Sequence, residues 1–340
     1  MKKLIALVLF TALLFTISCN NQQATNNYFP ALSGPYLGQD PPDSIPEIFA
    51  PGIIGTGMFT RDIAMPPSGD EIYFCVALGN YTFATILYSK LENGKWTKPE
   101  VVPFATDGKT IDFEPAFSPD GNRLYFLSAR ADGEEEAGDQ DIWYSDRIPG
   151  GWSEPVNPGE PLNTDGGEFF PSPTQDGFLY FTHNDKGNAL NQIFRSKILS
   201  DGFGEAELLP EEVNCGTNRF NAFVSPDHSY VIVPAVGMED AYDQVDYYIT
   251  FRKDNDTWST PINMGAAINE NNTRGWSPYV SPDGKYFFFM TNRSEDIEAS
   301  DLSYEKLVDI NNSPGNGNSY ICWMTADFIG ELEKIAIFKE

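Results

Sequence analysis

The chain is poor in the residues that carry most metal and nucleophile chemistry. Its 340 residues include two histidines and four cysteines, with no CxxC pair or histidine-rich spacing suited to zinc. No serine nucleophile elbow, phosphate-binding loop or dinucleotide fingerprint appears, which argues against the commonest hydrolase, NTPase and dehydrogenase classes. EF-hand spacing is missing too. Basic residues are scarce: 22 Lys plus Arg stand against 49 Asp plus Glu, a formal net charge of −27. So acidic a surface repels nucleic acid and anionic lipid head groups, so nucleic acid is excluded as a partner, whereas cations and basic protein patches are compatible.

Met1-Lys2-Lys3, the apolar run Leu4 to Ile17 and then Ser18-Cys19 read as a signal peptide over residues 1–18, too short and too early for a stable membrane span. The end of this leader resembles a bacterial lipobox, with Ser18 before the cysteine and Thr16 departing from the usual Leu. The resemblance implies that Cys19 is the lipidated first residue of the mature chain, and acyl chains anchor a soluble domain durably. Asn20 after the cysteine is similar to lipoproteins sorted to the outer membrane, the expected location, with the periplasmic or surface face left open. Residues 19–43 read as a polar tether and a Pro/Gly-rich lead-in, and 44–340 as a single domain.

What the sequence does have is a repeat. Phe113-Glu114-Pro115-Ala116-Phe117-Ser118-Pro119-Asp120-Gly121 leads into Leu124-Tyr125-Phe126, then Ile142-Trp143-Tyr144-Ser145, then Trp152-Ser153-Glu154-Pro155. Further copies turn at Pro173-Thr174-Gln175-Asp176-Gly177, Ser225-Pro226-Asp227-His228 and Ser281-Pro282-Asp283-Gly284, with a degraded one at Pro67-Ser68-Gly69-Asp70. The copies lie roughly 50 to 56 residues apart, the period of a four-stranded propeller blade. Each Asp-Gly suits the tight turn between first and second strands, since Gly tolerates positive φ and Asp bonds its own backbone.

The fifth copy lacks a fourth strand, and Ile45-Pro46-Glu47-Ile48-Phe49 resembles the fourth-strand segment Lys98-Pro99-Glu100-Val101-Val102. The expected fold is therefore all-β: a propeller of five four-stranded blades closed by the N-terminal strand, with six blades as the alternative. Cys75 and Cys322 fall in strands of neighbouring blades. A buried thiol is the simpler reading for each, a bridge between them the alternative, and Cys215 leaves the number odd.

The repeat resembles the WD-like propeller family with Pro-Asp turns, also found in the C-terminal domain of TolB. The resemblance covers roughly residues 45 to 330 and implies fold alone, because the shared residues are turn and core residues. TolB has an additional N-terminal domain without a counterpart here and six blades, so its role does not transfer.

In a propeller the first strand of each blade lines the channel. Here the turns on one face are short and stereotyped, while the connections on the other are long and differ in every blade. Long, variable connections on a rigid scaffold are where binding is usually placed. Around that mouth the alignment puts Arg61, Asp62, Asp112, Glu114, Glu168, Arg219, Asn221, Arg274 and Trp276, with Arg130, His183, Asp185, Asn292 and Arg293 near the rim. Arg61, Arg130, Arg219, Arg274 and Arg293 suit a carboxylate-bearing ligand, with Asn221 as a polar contact and Trp276 as a stacking platform. Asp62, Asp112, Glu114 and Glu168 are the candidates for glycoside hydrolysis, which needs two carboxylates across the bond, and His183 for a general base. Asp132, Asp139 and Asp141 offer hard oxygens to calcium without a recognised spacing; no other cofactor is expected.

The leading expectation is a lipid-anchored, monomeric, non-catalytic envelope propeller binding a glycan fragment or a protein partner on its long-loop face. The alternatives are a hydrolase or lyase acting on acidic sugars, and a TolB-like protein-docking module.

Overall fold

The computed structural model describes residues 29–339 apart from 80, 106–109, 132–138, 273, 295–296, 299 and 301. The signal peptide, Cys19 and Asp132 lie outside the described residues. Ala31–Glu340 forms one compact unit.

Five small antiparallel sheets make five blades, each strand pairing with the next. Blade one runs Phe59–Ala64, Glu71–Leu78, Phe83–Glu92 and Lys95–Trp96; blade two runs Asp112–Phe117, Arg123–Ser128, Asp141–Ile148 and Gly151–Trp152. Blade three runs Gly167–Pro173, Phe178–Asn184, Gln192–Leu199 and Gly202–Phe203. In blade four the innermost strand is split into Asn218–Arg219 and Phe223–Val224, followed by Tyr230–Val236, Asp246–Phe251 and Ile262–Asn263. Blade five consists of Tyr279–Val280, Tyr286–Thr291, Tyr320–Thr325 and, from the other end of the chain, Glu47–Ile48.

The closure expected from sequence is present: Glu47 pairs with Trp323 and Ile48 with Cys322. Phe49 follows, fully buried, with its ring 5.1 Å from those of Phe288 and Trp323. The lead-in packs as well, since Leu37 is buried and Tyr36 lies 5.4 Å from Trp323. Trp96 Nε1 donates to the Gly34 carbonyl at 2.7 Å.

The Ser-Pro-Asp-Gly turn has a visible mechanism. Ser118 Oγ donates to Asp120 at 2.6 Å and accepts from the Arg123 N–H, and Ser281 repeats this with Asp283 and Tyr286. Gly69, Gly121, Gly177 and Gly284 all have φ between +67° and +82° at the equivalent position, and His228 takes it at +64°. His228, to which the sequence assigned no role, is buried and links Tyr180 to Asp176 across blades three and four. Cys75, Cys215 and Cys322 are buried free thiols, so the bridge between Cys75 and Cys322 is not formed.

Candidate functional site

One residue in or beside the innermost strand of each blade, at an equivalent place in the repeat, has a left-handed backbone. At Asp62, Glu114, Phe170, Asn221 and Ser277 the backbone has φ of +52°, +57°, +54°, +40° and +57°. A left-handed backbone costs a non-glycine residue about 1–2 kcal/mol, and such conformations cluster at functional sites. In three blades the strand register breaks here, between Arg61 and Ile63, Phe113 and Ala116, and Phe169 and Ser172. Bulges re-aim side chains, so consecutive residues both face the axis.

This ring forms a polar septum. Arg61, 6 % exposed, is its hub: Nε donates to Asp62 at 3.0 Å, and Nη2 to Glu114 at 2.6 Å and to the Ser277 hydroxyl at 3.2 Å. Ser277 Oγ in turn donates to Asp62. Glu114 also accepts from Asn221 Nδ2 at 2.8 Å and the Phe170 N–H at 2.7 Å. Burial pushes the Glu114 carboxyl up to about 7, with Asp62 adding to the rise and Arg61, Phe170 and Asn221 pulling against it.

A folded-state value above the unfolded one means that the native state binds the extra proton. Stability from this group is therefore lost as pH rises from about 4.5 through about 7. Glu114→Gln is expected to flatten the fall in urea-unfolding free energy across that window; an unchanged slope would show that Glu114 does not titrate there.

On the long-loop side of the septum, the residue before each left-handed position opens outward: Arg61, Phe113, Phe169, Phe220 and Trp276. With Tyr81 they make an aromatic cup of about 310 Å³ whose floor is Arg61, Glu114 and Asn221. The Arg61 guanidinium lies 5.2 Å from the Phe113 ring centroid and 5.8 Å from that of Trp276. Phe220 and Trp276 stand 6.0 Å apart. Trp276 Nε1 has no hydrogen-bond partner among the described residues. A second, polar cleft shares Tyr81 with the cup and is lined by Arg274, Asn311, Asn312 and Asn318.

The arginines expected to converge on a carboxylate do not do so. Arg219 is buried and donates to the carbonyls of Cys215, Asn191 and Gly216; Arg293 donates to those of Glu270, Ala267 and Ile268. Arg130 pairs with Asp112 at 2.8 Å. Arg274 alone of these is exposed, in the side cleft.

Of the four candidate carboxylates, Asp62 and Glu114 meet at Arg61, whereas Asp112 and Glu168 are turned to partners of their own. Glu168 accepts from Thr164 and from His183 at 2.7 Å, Asp112 faces Arg130, and of the four only Glu114 lines the cup. Asp141 accepts from Asn157, and no group of three or more His, Cys, Asp or Glu able to hold a metal occurs among the described residues, Asp139 included. What the sequence reading missed is the aromatic ring itself: Phe113, Phe169 and Phe220 look like core residues until the bulge turns them to the axis.

His183 lies between Glu168 and Asp185. The Glu168 hydrogen bond, reinforced by the charges of Glu168 and Asp185, holds its imidazole above the ordinary value despite burial. That stabilisation is full below the unfolded pKa and is lost as pH rises through the folded one. His183→Gln should therefore cost up to about 1 kcal/mol at pH 5.5 and little at pH 9 in urea unfolding, the imidazole being partly solvated. An equal cost at both pH values would contradict the charged pairing.

No family model matches this chain, and no curated protein matches it. Among solved structures, TolB from Acinetobacter baumannii is similar at 17 % identity and a TM-score of 0.45 over 78 % of this chain, which spans about half, 54 %, of the TolB chain. The catalytic domain of Coprinopsis cinerea GH62 alpha-L-arabinofuranosidase is similar at 10 % identity and a TM-score of 0.46, over 84 % of this chain and 98 % of that one. The periplasmic gluconolactonase of Pseudomonas aeruginosa is similar at 10 % identity and 0.39, over 67 % and 64 %.

Proposed function

We propose that this protein is a lipid-anchored propeller of the bacterial envelope that binds a glycan fragment on its long-loop face without turning it over. A sugar ring sits in the cup, and the rest of the glycan runs past Tyr81 toward Arg274. The observation that carries this reading is the ring of four aromatic residues and one arginine, one from each blade, over a polar floor. Aromatic faces take the C–H faces of a sugar, and a few converging polar groups orient its hydroxyls. The Arg61 charge is already met by Asp62 and Glu114, so the ring in the cup is a neutral sugar; an acidic group on the glycan would be met by Arg274 in the cleft.

The arrangement of the carboxylates supports the reading without turnover. Hydrolysis of a glycosidic bond needs two across it, whereas among the described residues Glu114 is the one carboxylate that lines the cup.

The test is calorimetric titration of the full chain with neutral and uronic oligosaccharides. Saturable binding is expected, weakened at least about tenfold by Trp276→Ala, the scale of losing a central aromatic anchor. No new reducing ends should appear on prolonged incubation. Hydrolysis lost in Glu114→Gln would replace this reading with an enzymatic one. A protein partner is the second reading, favoured by exposed Leu302, Tyr304 and Leu307 on the connection between Thr291 and Tyr320; silence across the sugar panel would move the assignment there.

A further inference from the structure

The septum has a second side. Beneath it, toward the Pro-Asp-Gly turns, the channel continues as a separate chamber of about 130 Å³. We propose that this chamber is a binding site for a small primary ammonium carrying a short apolar chain.

Three observations converge. The walls are apolar, built from Met65, Phe117, Phe223 and Val280, and the mouth is rimmed by Pro119 and Pro282. A dry apolar cavity of about 150 Å³ accepts a molecule the size of benzene, so this one suits a chain of about four to six carbons.

The inner end differs in kind: Asp62, Glu114 and Ser277 close it. Arg61 is the cation bonded to both carboxylates, and it lies on the cup side, so two carboxylates share one guanidinium. With both carboxylates ionised the septum carries one uncompensated negative charge in a low-dielectric site, where an opposite charge is favoured. A carboxylate has about four lone-pair positions. Glu114 accepts three donors and keeps a position for an ammonium, while Asp62, which accepts Arg61 on both oxygens as well as Ser277 and the Cys75 thiol, adds its charge.

A neutral chain would satisfy the walls but not the floor, and an anion would be repelled by it. The chain's net charge of −27 also raises the local concentration of cations over anions. The chamber shares the septum with the cup but none of the cup's aromatic residues. The two sites share Glu114 and differ in every aromatic wall residue, so Trp276→Ala tells them apart.

Calorimetric titration with n-butylammonium, against n-butanol and butyrate, at pH 8 tests it. The expected result is saturable binding of n-butylammonium at least about tenfold tighter than n-butanol, with none for butyrate. Gln175→Trp, at an exposed position on the mouth, should weaken binding at least about tenfold without moving the unfolding midpoint, which guards against a merely misfolded variant. Glu114→Gln should weaken it comparably, and Trp276→Ala should leave it unchanged. Equal affinity for butanol and butylammonium, or binding indifferent to Gln175→Trp, would overturn the proposal.

Discussion

Replacing Arg61 with methionine is expected to destabilise the protein by about 3–5 kcal/mol at pH 8, the cost of breaking a buried ion pair from one side. Arg61 is the counter-charge of two carboxylates, Asp62 at 3 % and Glu114 at 5 % exposure. Without it both are buried close together with no cation. Burial already holds the Glu114 carboxyl up at about 7, so the penalty shrinks as the pH falls from 8 to 5.5 and Glu114 takes up its proton.

Urea unfolding at pH 8 and pH 5.5 checks both the size and the sign. The Arg61→Met, Glu114→Gln double variant should recover part of the loss at pH 8, because one of the stranded charges is gone; residues sharing a partner are not additive. A loss below about 1 kcal/mol at pH 8, or one that grows on acidification, would show that the septum is not the buried charge network described here.

Phe49→Ala is expected to cost about 3–5 kcal/mol, the range for truncating a buried phenylalanine. Its ring is fully buried, edge-on to Phe288 and Trp323 at 5.1 Å each, and its N–H donates to the Ile321 carbonyl at 2.9 Å. The closing strand itself contributes two paired residues, Glu47 and Ile48. Phe49 therefore anchors the closing strand in the apolar cluster that also takes Leu37 and Ile54. Ile45, 75 % exposed just before that strand, is the control: Ile45→Ala should stay within about 0.5 kcal/mol of the parent in urea unfolding. A Phe49→Ala cost as small as the control would mean that the closure is held elsewhere.

The scaffold was legible because propeller repeats write themselves in turn chemistry. Serine, proline, aspartate and glycine at fixed spacing dictate the hairpin, and the hydroxyl-to-carboxylate bonds at Ser118 and Ser281 show why. The N-terminal closure was legible from a missing fourth strand and a matching segment.

The site was only half legible, and the reason is register. Side chains alternate along a strand, so a slip of one residue exchanges the two faces. Asp112, Glu168 and Arg219 stand one position before Phe113, Phe169 and Phe220, and they point to local partners: Arg130, His183 and backbone carbonyls respectively. Glu114 and Asn221, two positions later than Asp112 and Arg219, face the channel.

No glycine signals the left-handed turn at Glu114, Phe170 or Ser277, so the bulge that brings two consecutive residues to the axis had no sequence marker. Asp62 and Asn221 are the residue types that tolerate that conformation best, and they were the available hint. Arg293 was misplaced for a different reason: its long side chain reaches the carbonyls at the end of the short helix Ala266–Asn269.

The central claim is that a neutral sugar ring seats against Trp276 in the cup. It is tested most directly by following the Trp276 indole N–H resonance, assigned by its loss in Trp276→Phe, while neutral oligosaccharide is added to the full chain. The account predicts that this resonance moves and saturates together with the Arg61 guanidinium signal, the two groups lying 5.8 Å apart. Oligosaccharide that binds without moving either signal, or that does not bind at all, would contradict it.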